Sequence, residues 1–525
     1  MIKSKISLNA FLNADGVIEK SLIEFFYESG SDIDYFSPLI EEIQAVMLSH
    51  DEKTAEQIEN KALYVINNSK LSAQSKILLL RVLFKAKCFS PALMKCLVRL
   101  LGEIKDNVCL KYWLLFDLSF MWIYHHNILY DEFWQEKKQL NEDYARELNL
   151  SWNPPVYDCS DNNRICVLVN VLDIRGTNLY ISPIVRAVKN QGYNVDIICL
   201  SPKRYDSSMS FMKPFFAVNN QGIIPREELL NLYPEDIKLH YTFNDTMKNR
   251  QQDALDLICK INPYCILDFT DEQAPVSYYY SKSYPTIYFP IRKQGCSSSF
   301  FHKCVVWESG DSVQISPPAK EEQVIRLPLF KEYVKPFKKF IRTDYSIATD
   351  DVVVVSVGGR LVFETSNELL KSMCELLCYN NSIKWLIVGC SSFPYIECNY
   401  PDLITNRNIV LIDYETDLPG FFSICDIYLN PSRIGGGTTV AWAMQQGLAI
   451  VSPLNSSDAT VHIGKRNAHA NESDLVPYIE KLSSCNSLLT REKEKYRTIA
   501  EEWDINKFTD TFIPEMRDLA ISFNT

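Results

Sequence analysis

Three consecutive glycines, Gly435, Gly436 and Gly437, stand directly before Thr438 and Thr439, in a run that opens Leu429-Asn-Pro-Ser-Arg-Ile and reaches its next glycine at Gly447. Glycine lets a backbone come close to a ligand, and the first amides of a helix have no partner inside it. A helix starting at Thr438 therefore turns these amides into an anion cradle. Upstream, Asp351-Val-Val-Val-Val-Ser-Val-Gly358-Gly359-Arg360 is an apolar run ending in glycines and an arginine, and Ile383-Lys-Trp-Leu-Ile-Val-Gly389 is another ending in glycine. Two carboxylates, Asp271 and Glu272, follow the apolar run Pro263-Tyr-Cys-Ile-Leu-Asp-Phe269. Just past a central strand they are placed for acid–base chemistry, and they are equally good helix caps.

Such groups meet only if strands deliver them to one edge of a sheet. The glycine run reads as strand, turn, helix over 438–446 and a buried strand over 448–451. Several strand–glycine–helix units in succession describe an open parallel sheet with its crevice at the carboxyl ends of the strands. The first 150 residues read differently. Apolar residues recur at helical spacing in 18–27, 40–48, 55–66, 75–87 and 91–101, which predicts an all-helical domain over 1–150 that either binds a protein or packs against the rest. Pro154, Pro155 and a polar cluster make 151–163 a linker.

From Arg164 the pattern becomes α/β. A strand over 165–172, a turn at Gly176, a helix over 181–191 and a strand over 195–200 open a domain assigned to 164–335, with further strands at 263–269 and 284–290. Residues 326–350, with Pro328, Pro336 and several lysines, read as the connection to a second α/β domain over 350–487, followed by a helix in 488–525.

The order Gly358-Gly-Arg-Leu361, Ile383 to Gly389, Asn408-Ile-Val-Leu-Ile412, Leu418-Pro-Gly-Phe-Phe, Asn430-Pro-Ser432 and the glycine turn with Ala443, Met444 and Gly447 resembles the donor-binding half of GT-B glycosyltransferases. The resemblance implies two Rossmann-like domains facing a cleft, here preceded by the all-α domain, with the C-terminal helix crossing back onto the first domain. It also implies a nucleotide-sugar donor, UDP-linked, as substrate, with no bound cofactor and no metal.

The diphosphate would lie on Gly358, Gly359, Arg360 and the turn Gly435, Gly436, Gly437, Thr438 and Thr439. Fixed amides and a guanidinium suit the charge that builds on its leaving oxygens. Tyr414, Asp417 and Leu418 would border the base. Asp173, Arg175, Gly176, Thr177 and Asn178 would face the cleft from the acceptor side, although Asp173 and Thr177 serve equally well to form and cap a turn. An acceptor base is expected from the first domain, Asp271 before Glu272, with Asp173 and His240 also available and His302 and His462 as alternatives.

Two departures from the family pattern matter. The basic residue expected after Arg360 is absent and Glu364 stands nearby, so Arg360 either meets phosphate or pairs with Glu364. The paired glutamates of many retaining enzymes are replaced by Ile434 and Trp442. The resemblance thus leaves a transferase acting on a glycan, glycolipid or protein, a non-catalytic scaffold, or a sugar-nucleotide epimerase.

Composition sets the outer bounds. A chain of 525 residues makes about three domains. A net charge of −11 argues against nucleic acid as partner, because that affinity comes from neutralising phosphates with Lys and Arg. Sixteen cysteines and no apolar leader predict reduced thiols in a cytoplasmic protein. The apolar run over 112–124 carries Asp117 and is shorter than the ~20 residues a span needs. It reads as a buried helix, with peripheral membrane association as the other option.

Overall fold

The computed structural model describes residues 6–14, 16–24, 33–49, 51–86, 88, 90–104, 139, 142–160, 162–169, 172, 177–200, 232–242, 247–270, 276–290, 300–308, 320–433 and 437–524. Helices Leu8–Asn13, Val17–Glu24, Ser37–Ser49, Glu52–Asn68, Ala73–Lys85 and Pro91–Glu103 form the N-terminal layer. In the last of them Leu93, Met94, Leu97, Leu100 and Leu101 are buried at three- and four-residue spacing, one face of a helix. Ser90 starts it by accepting the Leu93 N–H at 3.2 Å, and Pro91 in the first turn has no N–H to leave unpaired. The run over 112–124 lies outside the described residues. Among the described residues no helix is long and apolar enough to cross a membrane.

The layer shares a core with the first sheet. Ile77, Leu80 and Leu97 belong to one buried cluster with Cys166, Leu168, Ile198, Ile258 and Tyr284. The linker is fixed to that sheet as well, with Trp152 Nε1 donating to Ser283 Oγ at 3.0 Å and Tyr157 Oη to the Tyr264 carbonyl at 2.8 Å.

The first sheet contains β1 (Arg164–Val169), β2 (Asn194–Cys199), β3 (Lys238–Tyr241), β4 (Cys265–Phe269), β5 (Thr286–Tyr288), β6 (Lys303–Glu308) and β7 (Val324–Pro328). Its order is β3-β2-β1-β4-β5-β6-β7, and all pairings are parallel. The continuous apolar run of β1 follows from covering both faces. Ile165, Val167 and Val169 point into one core, while Cys166 and Leu168 point into the core shared with the helical layer.

The second sheet, β8 (Val352–Val357), β9 (Ile383–Val388), β10 (Ile409–Ile412), β11 (Ile427–Leu429) and β12 (Ala449–Val451), has order β10-β9-β8-β11-β12 and is also parallel throughout. In each sheet the winding reverses once, between β1 and β4 and between β8 and β11. Loops diverging at such a point open a crevice beyond the strand ends.

One boundary differs from the sequence reading. Residues 324–328 are an edge strand with Ile325 and Leu327 buried, and Leu329 and Phe330 are buried after it, so the connection begins near residue 331. The C-terminal stretch is two helices, Asn486–Glu501 and Ile505–Asn524, separated at Trp503, which packs against cores of both sheets. The second helix buries Phe508, Phe512, Ile513 and Met516 against the first sheet.

Candidate functional site

The winding reversal of the second sheet lies between β8 and β11, and the glycine-rich segments leave from these two strands. After β8, Gly358 and Gly359 pass so close to Gly389 that a Cβ on Gly389 would stand 2.6 Å from the Gly358 carbonyl carbon and 2.8 Å from the Gly359 nitrogen. After β11 the chain reaches Gly437, whose φ of +67° is left-handed. A Cβ there would meet the Asp458 carbonyl oxygen at 2.1 Å and His462 Nε2 at 2.4 Å. Only glycine fits both the angle and the space. Helix Thr438–Gln445 follows without a side-chain cap at its start. Thr439 Oγ1 is 2.9 Å from Tyr428 Oη, which fixes its side chain to β11. Gly435 and Gly436 lie outside the described residues.

A cation two residues before the glycine turn is one the sequence reading passed over. The Arg433 side chain is only 9 % exposed, its Nη1 donates to the Val357 carbonyl at 2.8 Å, and its guanidinium covers Gly358 so closely that a Cβ there would be 2.7 Å from Nη2. Its Nε lies 3.2 Å from both Glu364 Oε2 and Asp458 Oδ2, at ion-pair distance though with its N–H aimed squarely at neither. Burial would strip the charge, but Asp458 and Glu364 hold the Arg433 pKa above its usual value.

Asp458 is itself oriented, accepting from Ser456 Oγ at 2.8 Å and Asn430 Nδ2 at 2.9 Å. Arg360 Nη2 pairs with Glu364 Oε1 at 3.0 Å. The cluster therefore sets two guanidiniums against two carboxylates and is close to neutral. The available signal for Arg433 was its position, two residues before the glycine turn and in the loop of a strand at the reversal.

After β10, Tyr414 is 55 % exposed and Leu418 is half-buried. Asp417 is buried and holds backbone. Its Oδ2 accepts the N–H groups of Phe337 (2.8 Å) and Lys338 (2.6 Å), and its Oδ1 that of Gly420 (3.0 Å). It ties the interdomain connection to the second sheet.

On the first sheet, Asp173, Arg175, Gly176, Asp271 and Glu272 lie outside the described residues. Thr177 begins helix Thr177–Asn190, and Asn178 is fully buried, accepting Tyr233 Oη at 2.9 Å. At the end of β4, Asp268 is buried and accepts Tyr280 Oη (2.6 Å), the Thr270 N–H (2.8 Å) and Thr270 Oγ1 (2.6 Å), so it fixes the backbone at Thr270. His240 Nε2 is 2.7 Å from Asp196 Oδ1 on β2, and that aspartate also receives Arg164.

His302 precedes β6, at the edge opposite the strand carboxyl ends, and accepts the Thr286 N–H on Nδ1. Burial pushes its pKa down. His462 is brought to the glycine turn, with its ring 5.6 Å from that of Trp503. The structure thus gathers Gly358, Gly359, Arg360, Gly437, Thr438, Thr439, Arg433 and His462 around the β8–β11 reversal. Tyr414 and Leu418 lie along the edge toward β10.

No protein-family model matches the chain, and no curated protein matches it in sequence. Solved structures do. A mutant O-GlcNAc transferase from Thermobaculum terrenum matches at 14% identity over 98% of each chain, with a TM-score of 0.57. A glycosyltransferase from Rickettsia africae matches at 15% identity over 68% of this chain and 99% of that one, with a TM-score of 0.49. Sucrose-phosphate synthase from Thermosynechococcus elongatus matches at 13% identity over 68% and 100%, with a TM-score of 0.48. The first of these runs through the helical layer and both parallel sheets, and on it the chain has the GT-B fold of glycosyltransferases.

Proposed function

We propose that this chain is a metal-independent glycosyltransferase of hexosyl type that moves a sugar from a UDP-linked donor to a glycan or protein acceptor. The observation that supports it most is the uncapped helix start at Thr438, set at the winding reversal of a parallel sheet beside two arginines. In this reading the amides at the glycine turn and the Arg360 guanidinium receive the departing diphosphate. Arg433 holds the two loops at a fixed separation, and Asp271 or Glu272 takes the acceptor proton. A protein acceptor stays in view because the match to the O-GlcNAc transferase includes the helical layer.

A second reading, a scaffold without catalysis, is favoured by the near-neutral Arg360–Glu364–Arg433–Asp458 cluster. A thermal-shift series with nucleotides and nucleotide sugars separates the two, because a ligand that binds only the folded state must raise its melting temperature. UDP is expected to stabilise the protein, Arg360→Ala to weaken that binding by about 1.5–3 kcal/mol, and the pure protein to hydrolyse a UDP-sugar slowly. Failure of every nucleoside diphosphate to stabilise the fold favours the scaffold. Unchanged UDP affinity in Arg360→Ala removes that residue from the site.

A further inference from the structure

Helix Thr438–Gln445 sorts its residues into two faces. Val440, Ala441, Ala443 and Met444 are buried, while Thr438, Thr439, Trp442 and Gln445 are half-buried. Thr438, Trp442 and Gln445 stand four and then three residues apart, so they line one side of the helix. The near end of that side is the uncapped start at Thr438. The far end is Gln445, whose Nε2 donates to the carbonyls of Lys331 and Glu332, at 3.2 and 3.1 Å, in the connection from the first sheet. Trp442 stands between them, about 6 Å along the axis from Thr438. The helix also touches helix Leu418–Phe422, and Trp442 and Leu418 both lie at the margin of one core.

The other described tryptophans are tied down. Trp152 Nε1 donates to Ser283 Oγ, Trp307 Nε1 to Tyr180 Oη and Trp385 Nε1 to Ser356 Oγ, and the Trp503 ring lies 5.6 Å from that of His462. Among the described residues the Trp442 indole makes no hydrogen bond and meets no other ring. A large flat apolar surface is thus left half-open one turn past the helix start, although a tryptophan N–H ordinarily finds a partner. Its one polar atom is a donor, so the ring cannot accept a hydrogen bond from a sugar hydroxyl.

We propose that the Trp442 ring carries the pentose of a nucleoside diphosphate whose phosphates lie on the amides at Thr438, and that the site reads this pentose by contact and not by its hydroxyls; the proposal rests on the transferase reading. The group bonded to a phosphate at Thr438 comes about one helical turn away, which is the distance to Trp442. The side toward Leu418 is the one on which that reading puts the base. A site built to bond a hydroxyl rejects a ligand without it by about 10⁴–10⁵, because its own polar groups are left unpaired, whereas an apolar wall discriminates little. Ribose and 2′-deoxyribose diphosphates are therefore both ligands.

The test titrates UDP, its 2′-deoxy analogue dUDP and UDP-glucose into the full chain by calorimetry, as wild type, Trp442→Ala and Trp442→Phe. The wild type is expected to bind UDP and dUDP within about threefold of each other. Trp442→Ala weakens both by about tenfold, through the lost apolar contact, and Trp442→Phe, which keeps a flat ring, retains most of the affinity. A preference of the wild type for UDP over dUDP of about thirtyfold or more means that the hydroxyls are bonded, and it overturns the proposal whether or not the variants fold. If Trp442→Ala binds UDP as the wild type does while Arg360→Ala loses it, Trp442 is outside the site and the transferase reading stands. If Trp442→Ala weakens UDP-glucose alone, the ring serves the transferred sugar and the proposal falls. If the wild type binds none of the three, the transferase reading falls and takes the proposal with it.

Discussion

Gly437→Ala and Gly447→Ala form a matched pair that tests the geometry of the glycine turn. Both glycines are left-handed, at φ +67° and +75°. An alanine pays about 1–2 kcal/mol for that conformation at either place. They differ in their surroundings. At Gly447 the nearest atom to a new Cβ is Arg497 Cδ at 4.0 Å, ordinary contact, whereas at Gly437 the Asp458 carbonyl oxygen would be 2.1 Å away.

That oxygen is backbone, so the turn or helix Ser457–Ile463 must move, and overpacking of this kind adds about 1–3 kcal/mol or more. Gly437→Ala should therefore lose about 2–5 kcal/mol and Gly447→Ala about 1–2 kcal/mol, against a typical domain stability of about 5–15 kcal/mol. Urea unfolding followed by tryptophan fluorescence reads the difference, since the Trp503 ring lies 5.6 Å from that of His462, the residue a Cβ at Gly437 would displace. UDP stabilisation should vanish in Gly437→Ala and persist in Gly447→Ala. Equal losses of stability in the two variants would mean that Asp458 does not close on the turn, and the site geometry drawn from that contact would be wrong.

Removing Arg433 leaves Glu364 and Asp458 buried without their shared cation. Arg433→Met should cost about 3–5 kcal/mol in urea unfolding, and adding Glu364→Gln should recover part of it; strict additivity of the two changes would show that they do not interact. Asp196 carries a pH dependence. Burial alone would raise its pKa, but hydrogen bonds from His240 and Arg164 outweigh this and leave it below the usual carboxylate range. A depressed folded pKa contributes stability above the unfolded value near 4 and loses it as pH falls through the folded value. The stability advantage of wild type over Asp196→Asn should therefore be full at pH 7 and shrink below about pH 4. An advantage that does not change between pH 7 and pH 3 rules out this role.

The strands were legible where burial on both faces leaves an uninterrupted apolar run, as in Val352–Val357 and Arg164–Val169. The glycine turn was legible because its constraint is local, a backbone angle and a helix start. β7 was not. It is an edge strand with Arg326 half-buried and Pro328 at its end, so its run is broken and its proline reads as a linker. Arg433 was missed for a related reason. Its only local signal is its place two residues before the glycine turn, and its importance comes from Glu364 and Asp458, delivered from distant parts of the chain. Asp417, expected to border the base, accepts the amides of residues 337 and 338, a partnership across some eighty positions that no periodicity announces.

The helix Ile505–Asn524 lies against a face whose strands begin at residue 164. During synthesis the β7 side of that face stays open from Phe330 until Ile505 has been made, at ~5–20 residues per second for about 10–35 seconds. The β5–β7 side of the first sheet must wait, with Phe289, Trp307 and Phe330 uncovered by their C-terminal partners Phe508 and Phe512, until the second sheet has been made and the returning segment has left the ribosome. A stop codon or a cut before Ile505 would thus cripple the opposite end of the molecule from the one it removes. Chaperone demand in the cell should follow the length of that wait.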